Sequence, residues 1–203
     1  MTNDQSLIQA VEQADTPARL IAAVRALADA HLEAGIPILI TALGYNNPGA
    51  ASLAVEGLIQ MGGSAVPPLL EKLDGYNYGA RAYAIRALAA IADPRALDIL
   101  NTAALNDFAP SVRRAAAKGL GNLHWHKLSP EQIPFAQEKA FYTLRQVCQD
   151  SEWSIRYAAI VGLQLLAAQP GLKPHIQTHL QQMLPSESDR AVRARVQLAT
   201  LSS

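Results

Sequence analysis

Cysteine, net charge and long apolar runs are what this sequence has least of. Its one cysteine, Cys148, has no partner for an internal disulfide, which is typical of a reducing compartment. The 17 basic and 17 acidic side chains cancel, so the chain lacks the basic excess that binds nucleic-acid phosphates. No apolar run reaches the roughly 18 to 20 residues that cross a bilayer, and residues 1–13 do not resemble a signal peptide. We therefore expect a soluble, cytoplasmic protein that binds no nucleic acid and does not insert into membranes.

Motifs of self-contained catalysis are also missing. The sequence has no Gly-x-Ser-x-Gly, no phosphate-binding glycine loop, no His-Glu-x-x-His and no cysteine pair. His124 and His126 supply two metal ligands without a nearby third, so we predict no metal site. Cys148 lies in an apolar helical stretch, where a buried thiol behaves as a small hydrophobic side chain rather than a nucleophile. The residues therefore do not predict an enzyme that works alone.

A short block returns every thirty-odd residues: a small residue, an aliphatic one, a variable one, Ala or Gly, then Leu. Its copies are Ala23–Leu27, Ala54–Leu58, Ala84–Leu88, Ala116–Leu120 and Ala159–Leu163. Self-similarity at this period predicts a stacked-repeat solenoid. We predict an all-α fold, a right-handed superhelix of about five to six helix pairs forming one domain over residues 1–203. Such folds present extended surfaces, which favours a binding role.

Each block lies in a signature helix, as the periodicity of Val112–Leu123 shows. The small residue before each signature Leu should let a neighbouring helix approach closely. Helix starts are predicted where a capping side chain precedes proline, at Thr16, Asp93 and Ser129. Shorter helices are predicted between the signature helices, at Pro37–Leu43, Ala65–Leu73, Pro94–Leu105, Pro134–Cys148 and Leu172–Leu184.

An arginine recurs seven residues before the signature Leu, with an aspartate a few residues upstream. The arginines are Arg81, Arg113, Arg156 and Arg193, and the aspartates are Asp74, Asp107, Asp150 and Asp189. This combination resembles the HEAT repeat, in which such residues form a ladder between neighbouring repeats. One interpretation is that they stabilise the stack, since a desolvated Arg–Asp hydrogen bond is worth about 1.5 to 3 kcal/mol. The other is that they contact a ligand.

The regular step breaks once, between Leu120 and Leu163, where about ten residues are added. We predict an inserted loop near residues 122–133, and insertions in repeat proteins often carry binding specificity. His124 and Trp125 are therefore candidate ligand contacts. The alternative is a polar loop around a half-buried Trp125.

Aromatic residues recur where a short helix gives way to a signature helix. They are Tyr45, Tyr76, Tyr78, Phe108 and Trp153, with Tyr83 and Tyr157 about one turn inside. Rings in register would hold a flat conjugated ligand by stacking, each stacked pair adding about 0.5 to 1.5 kcal/mol. The alternative is that each ring fastens its own turn to the next repeat.

Two strings, Leu120–Leu123 and Trp153–Ala159, together with the repeat type, resemble the F subunits of the E/F-type phycobilin lyases, in particular those for phycocyanin alpha. The resemblance implies a heterodimer with a larger HEAT-repeat subunit. The pair would bind phycocyanobilin as substrate, without another cofactor, and promote its thioether attachment to a cysteine of apo-phycocyanin alpha during phycobilisome assembly. Isomerase relatives carry adjacent His and Cys, which this sequence lacks, so attachment without isomerisation is implied.

The resemblance also implies roles for particular residues, because such a lyase can hold the bilin extended and protonated. Acids near the pyrrole nitrogens would be Asp150 or Asp107, the candidate catalytic residues. Bases near the propionates would be Arg81, Arg86, Arg113 or Arg156. The candidate ring contacts are Tyr76, Tyr78, Tyr83, Trp153 and Tyr157. The competing hypothesis is a HEAT-like adaptor that binds a protein partner and performs no chemistry.

Overall fold

The computed structural model describes residues 3–73 and 78–201, with side chains from Asp4 to Leu73 and from Gly79 to Leu201. These residues form twelve α-helices and no strand, which confirms the all-α prediction. Short 3-10 helices lie at Glu33–Gly35, Gly62–Ala65, Pro94–Ala96 and Trp125–Lys127. None of the helices described is both long and apolar enough to cross a bilayer. The chain divides into two compact units, Met1–Ile91 and Ala92–Ser203.

The first unit contains three helix pairs. Its helices are α1 (Asn3–Glu12), α2 (Pro17–Asp29), α3 (Ile36–Ala42), α4 (Pro48–Met61), α5 (Val66–Glu71) and α6 (Tyr78–Ile91). The signature helix α4 packs between α2 and α6, while α3 packs on α4 and α5 packs on α6. Each short helix is thus followed by the signature helix that it covers.

The second unit repeats this plan with three more pairs. Its helices are α7 (Leu97–Asn106), α8 (Pro110–Gly121), α9 (Gln132–Val147), α10 (Trp153–Leu166), α11 (Lys173–Met183) and α12 (Arg190–Leu201). The signature helix α10 packs between α8 and α12. Helices α7, α9 and α11 pack on α8, α10 and α12 respectively, so one face of the signature layer is covered.

The signature blocks form the core, as their periodicity predicts. Leu58, Leu120 and Leu163 are fully buried. The residue before each Leu is small for a steric reason: a Cβ on Gly162 would lie 2.4 Å from the carbonyl oxygen of Ala117. At such a distance the two helix backbones would have to separate. The predicted close helix approach is therefore confirmed here.

Two of the three predicted helix starts are confirmed. Thr16 accepts a hydrogen bond from the backbone nitrogen of Arg19, and Asp93 accepts one from that of Arg95. At the third, Ser129, α9 itself begins three residues later, at Gln132. The predicted pairing of Ser129 with Gln132 is nevertheless present: the side chain of Gln132 accepts a hydrogen bond of 3.2 Å from the backbone nitrogen of Ser129, and the carbonyl oxygen of Ser129 accepts from the backbone nitrogens of Gln132 and Ile133.

The added residues after α8 do not all lie in a loop. The connection over residues 122–131 is four residues longer than the connection over residues 167–172. Helix α9 is 16 residues long and α11 is 11. The prediction that α9 is one of the shorter helices is therefore wrong, since about half of the added length extends this helix.

Candidate functional site

The predicted arginine ladder is present in the second unit, and its first step links two helix pairs. Arg113 of α8 donates through Nη1 to the carbonyl oxygen of Asp107, at 2.6 Å. Its Nε lies 3.1 Å from Oδ2 of Asp150, in the next pair, although the N–H does not point at that oxygen closely enough for a hydrogen bond. Arg113 therefore joins its own pair to the following one.

Arg156 of α10 makes the second step in the same way. Its Nη1 donates to the carbonyl oxygen of Asp150, at 2.9 Å. Its Nε and Nη2 donate to the two carboxylate oxygens of Glu187, at 2.9 and 2.7 Å. The hydrogen bonds to Glu187 raise the pKa of Arg156 and lower the pKa of Glu187. The positive charge of Arg156 is thus balanced by Glu187 within the fold.

The prediction that Asp189 is the acid of the last ladder step is wrong. Oδ1 of Asp189 accepts hydrogen bonds from the backbone nitrogens of Ala191 and Val192, so this residue caps α12. Glu187 takes the ladder position instead: its Oε1 accepts from the backbone nitrogen two residues on, as Oδ1 of Asp150 does.

These contacts bear on the roles predicted for the ladder residues. Oδ1 of Asp150 accepts a hydrogen bond from the backbone nitrogen of Glu152, and its Oδ2 forms an ion pair with Arg113. Oδ1 of the buried Asp107 accepts a hydrogen bond from the backbone nitrogen of Ala109. Both carboxylates are therefore engaged in contacts within the fold. Arg113 and Arg156 are likewise engaged with Asp150 and Glu187. The geometry therefore supports stacking for these four residues and lends no support to bilin contacts.

A cavity beside the ladder has a volume of about 530 Å³ and is lined by Arg145, Cys148, His179 and Met183 together with the ladder acids. Burial raises the pKa of Cys148 to about 12, so the thiol stays protonated. Burial, then the charge of Arg145, lowers the pKa of His179, so its imidazole is neutral at pH 7. The interpretation of Cys148 as a core residue is confirmed by its exposure of 5%.

The inserted segment is packed rather than open. Trp125 is only 5% exposed, so the description of this ring as half-buried is wrong. The backbone nitrogen of His124 donates to the carbonyl oxygen of Ala92, at 2.8 Å, and Lys127 Nζ lies 3.3 Å from Oδ2 of Asp93. The His124 side chain is exposed beside a cavity of about 390 Å³, which Trp125 also borders. Ligand contact by either residue stays a prediction.

The candidates in the first unit lie on α6. Arg81 is half-buried and borders a cavity of about 220 Å³. Arg86 is exposed, and its guanidinium carbon lies 5.5 Å from the ring centre of Tyr83. Tyr76 and the predicted acid Asp74 lie outside the described residues, and Tyr78 begins α6 without a described side chain.

The predicted aromatic positions at the starts of α8 and α10 are open to solvent. Phe108 is 74% exposed and Trp153 is 47% exposed. Tyr157, one turn into α10, is half-buried and lies under Arg195 of α12, whose guanidinium carbon is 5.9 Å from the ring centre. A ring stacked by a cation on one side is a suitable surface for a conjugated ligand.

Three cations on the uncovered face of the signature layer were not predicted from the sequence as site residues. Arg114 is exposed and donates to Oγ of Ser154 across the α8–α10 contact, at 3.0 Å. Lys118 is exposed one turn further along α8. Arg195 hydrogen-bonds the side chain of Gln164. Throughout residues 3–73 and 78–201, no carboxylate forms an ion pair with any of the three.

A signal for these cations is present in the sequence. Helices α8, α10 and α12 contain seven arginines and lysines and no Asp or Glu, although the chain as a whole is neutral. The uncovered face of this layer therefore carries a local positive potential.

Comparison with known proteins gives consistent matches. A family profile of HEAT repeats matches residues 66–138. The phycocyanobilin lyase subunit beta of a Nostoc species is 60% identical over 199 residues, 98% of each chain. The phycocyanin alpha phycocyanobilin lyase CpcF of a Synechocystis species is 52% identical over 193 residues, 95% of this chain and 90% of that one.

Solved structures agree with these matches. One is the complex of CpcE and CpcF of phycocyanin lyase from Nostoc, which contains a chain 63% identical to this one. Its TM-score is 0.79 over 82% of this chain and 98% of that chain. A designed armadillo repeat protein, 18% identical with a TM-score of 0.63 over 99% of each chain, shares the fold alone. The chain therefore belongs to the family of phycocyanobilin lyase beta subunits, the HEAT-repeat F subunits of the E/F-type phycobilin lyases.

Proposed function

We propose that this chain is one subunit of a heterodimeric lyase that attaches phycocyanobilin to a cysteine of the phycocyanin alpha subunit. The observation that carries the proposal is the 63% identity with a chain solved as part of a two-subunit phycocyanin lyase complex. Relatives named as phycocyanobilin lyase subunits match over nearly the full length of this chain. The partner would be the larger HEAT-repeat subunit, and the setting would be the cytoplasm of a cyanobacterial-type cell.

The reaction is addition of a thiol to the ethylidene group of the bilin. One S–C bond forms, the thiol proton is transferred to the tetrapyrrole, and nothing leaves. Phycocyanobilin is the substrate, and the proposal includes no resident cofactor and no isomerisation, because the chain has no His-Cys pair.

The chain's own residues would bind and orient the bilin rather than bond to it. Cys148 is buried and, with its pKa raised to about 12, forms almost no thiolate near neutral pH. Holding a bilin and an acceptor thiol in reacting geometry contributes substantially to rate without any covalent step on the enzyme.

Reconstitution tests the proposal. The chain, its partner subunit, phycocyanobilin and apo-phycocyanin alpha are incubated together, and the adduct is measured by zinc-induced fluorescence after denaturing electrophoresis. We expect an adduct well above the spontaneous background only when both subunits are present. Adduct at the background level would leave the non-enzymatic adaptor hypothesis standing.

A further inference from the structure

We propose that the three cations of the uncovered signature face that have no paired carboxylate, Arg114, Lys118 and Arg195, bind the propionate carboxylates of the bilin, with Tyr157 against its ring system. This inference rests on the proposed function, because it assigns the substrate's anionic groups to particular residues. It replaces the ladder arginines, Arg113 and Arg156, in that role.

Unlike the ladder arginines, these three cations have no carboxylate partner within the described chain. The guanidinium of Arg156 already meets both carboxylate oxygens of Glu187. By contrast, no described carboxylate is paired with Arg114, Lys118 or Arg195. Nε of Arg195 is also buried and has no partner in the part of the chain described. A buried donor without an acceptor is costly, and a ligand carboxylate would satisfy it.

The three cations and Tyr157 lie on neighbouring helices of one layer. Arg114 and Lys118 are four residues apart on α8, so their side chains share one face about 5 to 6 Å apart at Cβ. The contact of Arg114 with Ser154 places it against α10, and Tyr157 is one turn beyond Ser154. Arg195 lies against Tyr157 from α12. The face therefore runs from cation to aromatic ring to cation across three neighbouring helices.

The chemistry of this face suits a ligand that carries carboxylates. Carboxylates form bidentate hydrogen bonds with guanidinium groups, and a half-buried arginine holds them more strongly than a fully solvated one. With no acid on α8, α10 or α12, no carboxylate on these helices competes for the cations or repels an anion. A conjugated dianion matches a surface that offers cations on both sides of a ring.

The test uses the assembled heterodimer and two probes, phycocyanobilin and its dimethyl ester, titrated by absorbance. For the wild-type chain we expect the ester to bind at least roughly tenfold more weakly than the free acid. In the double variant Arg114→Gln, Lys118→Gln the free acid should bind as weakly as the ester. Lys173→Gln, which removes an exposed cation on α11 in the other layer, is the matched control and should leave both affinities unchanged.

Three results would overturn the inference. One is a double variant that still prefers the free acid as strongly as the wild type does. Another is a variant that keeps bilin affinity and loses only the acceptor protein, which would assign the face to an acidic protein surface. The third is loss of heterodimer in size-exclusion chromatography, which would assign it to the partner subunit. Failure of the proposed function is distinct: the wild-type heterodimer would bind bilin without forming an adduct.

Discussion

Gly121 of α8 lies against Gly162 of α10 so closely that a Cβ on Gly121 would come within 2.1 Å of the carbonyl oxygen of Gly162. The three atoms nearest to that Cβ all belong to the backbone of Gly162, so no side-chain rotation can make room. This crossing brings α8 and α10 together, and with them Arg114 and Ser154.

Replacing Gly162 with Ala should therefore destabilise the protein. The added Cβ would meet the carbonyl oxygen of Ala117 at 2.4 Å, and overpacking of this kind costs typically about 1 to 3 kcal/mol. The destabilisation is measured as the decrease in the free energy of unfolding in urea. Gly171→Ala is the control, because no atom lies within 4 Å of a Cβ built there. Equal stability of the two variants would show that the helices separate without cost.

The assignment of Glu187 to the ladder predicts a coupling with Arg156. In a double-mutant cycle of Arg156→Met and Glu187→Ala, the coupling free energy should be about 1.5 to 3 kcal/mol, since both side chains are mostly buried. The same cycle with Asp189→Ala should give a much smaller coupling, because Asp189 acts as a helix cap. A larger coupling for Asp189 would restore the acid first predicted from the sequence.

The same pair predicts how stability changes in acid. The pKa of Glu187 is lowered in the folded protein, chiefly by its hydrogen bond with Arg156. Its stabilising contribution is therefore fully present above the unfolded value, near 4.5, and is lost as pH falls through the folded pKa. Unfolding free energy measured from pH 6 to pH 3 should fall less steeply for Glu187→Gln than for the wild type. The same pH dependence of the unfolding free energy in both proteins would contradict the lowered pKa of Glu187.

Aromatic substitutions should separate binding from stability. Trp153→Leu and Tyr157→Leu should lower adduct yield more than they lower melting temperature, because Trp153 is 47% exposed and Tyr157 is half-buried. Phe141→Leu is the matched control: this ring is buried, and shrinking it should lower melting temperature first. Equal loss of both properties in the Trp153 and Tyr157 variants would assign those rings to structure.

Much of the fold follows from the repeat. The signature block predicts the buried leucines and the close helix approach at Gly162, because a residue that must pack in every copy recurs. The sequence pattern points to Asp189 and not to Glu187 because it is defined by a nearby aspartate and not by a fixed spacing. Asp107 and Asp150 each precede their arginine by six residues, and Glu187 precedes Arg193 by the same six. The constant interval of six residues between acid and arginine therefore identifies Glu187.

The site could be predicted less well than the fold, because its residues do not recur from one copy of the repeat to the next. Arg114 does not recur: the equivalent position after Arg156 is Tyr157, and after Arg193 it is Ala194. Residues that recur in every copy are those that stabilise the stack. The proposed ligand contacts differ between copies, so the repeat pattern does not predict them. The burial of Trp125 likewise depends on how the inserted segment packs, which the sequence pattern does not reveal.

The central claim is that this chain contributes a binding surface and no nucleophile. The most direct test is the initial rate of bilin attachment by a heterodimer carrying Cys148→Ser, with mass spectrometry of both lyase subunits during the reaction. We predict the wild-type rate and no bilin bonded to this chain. A large loss of rate with an intact, folded heterodimer, or a bilin thioether on Cys148 of the wild type, would contradict the account.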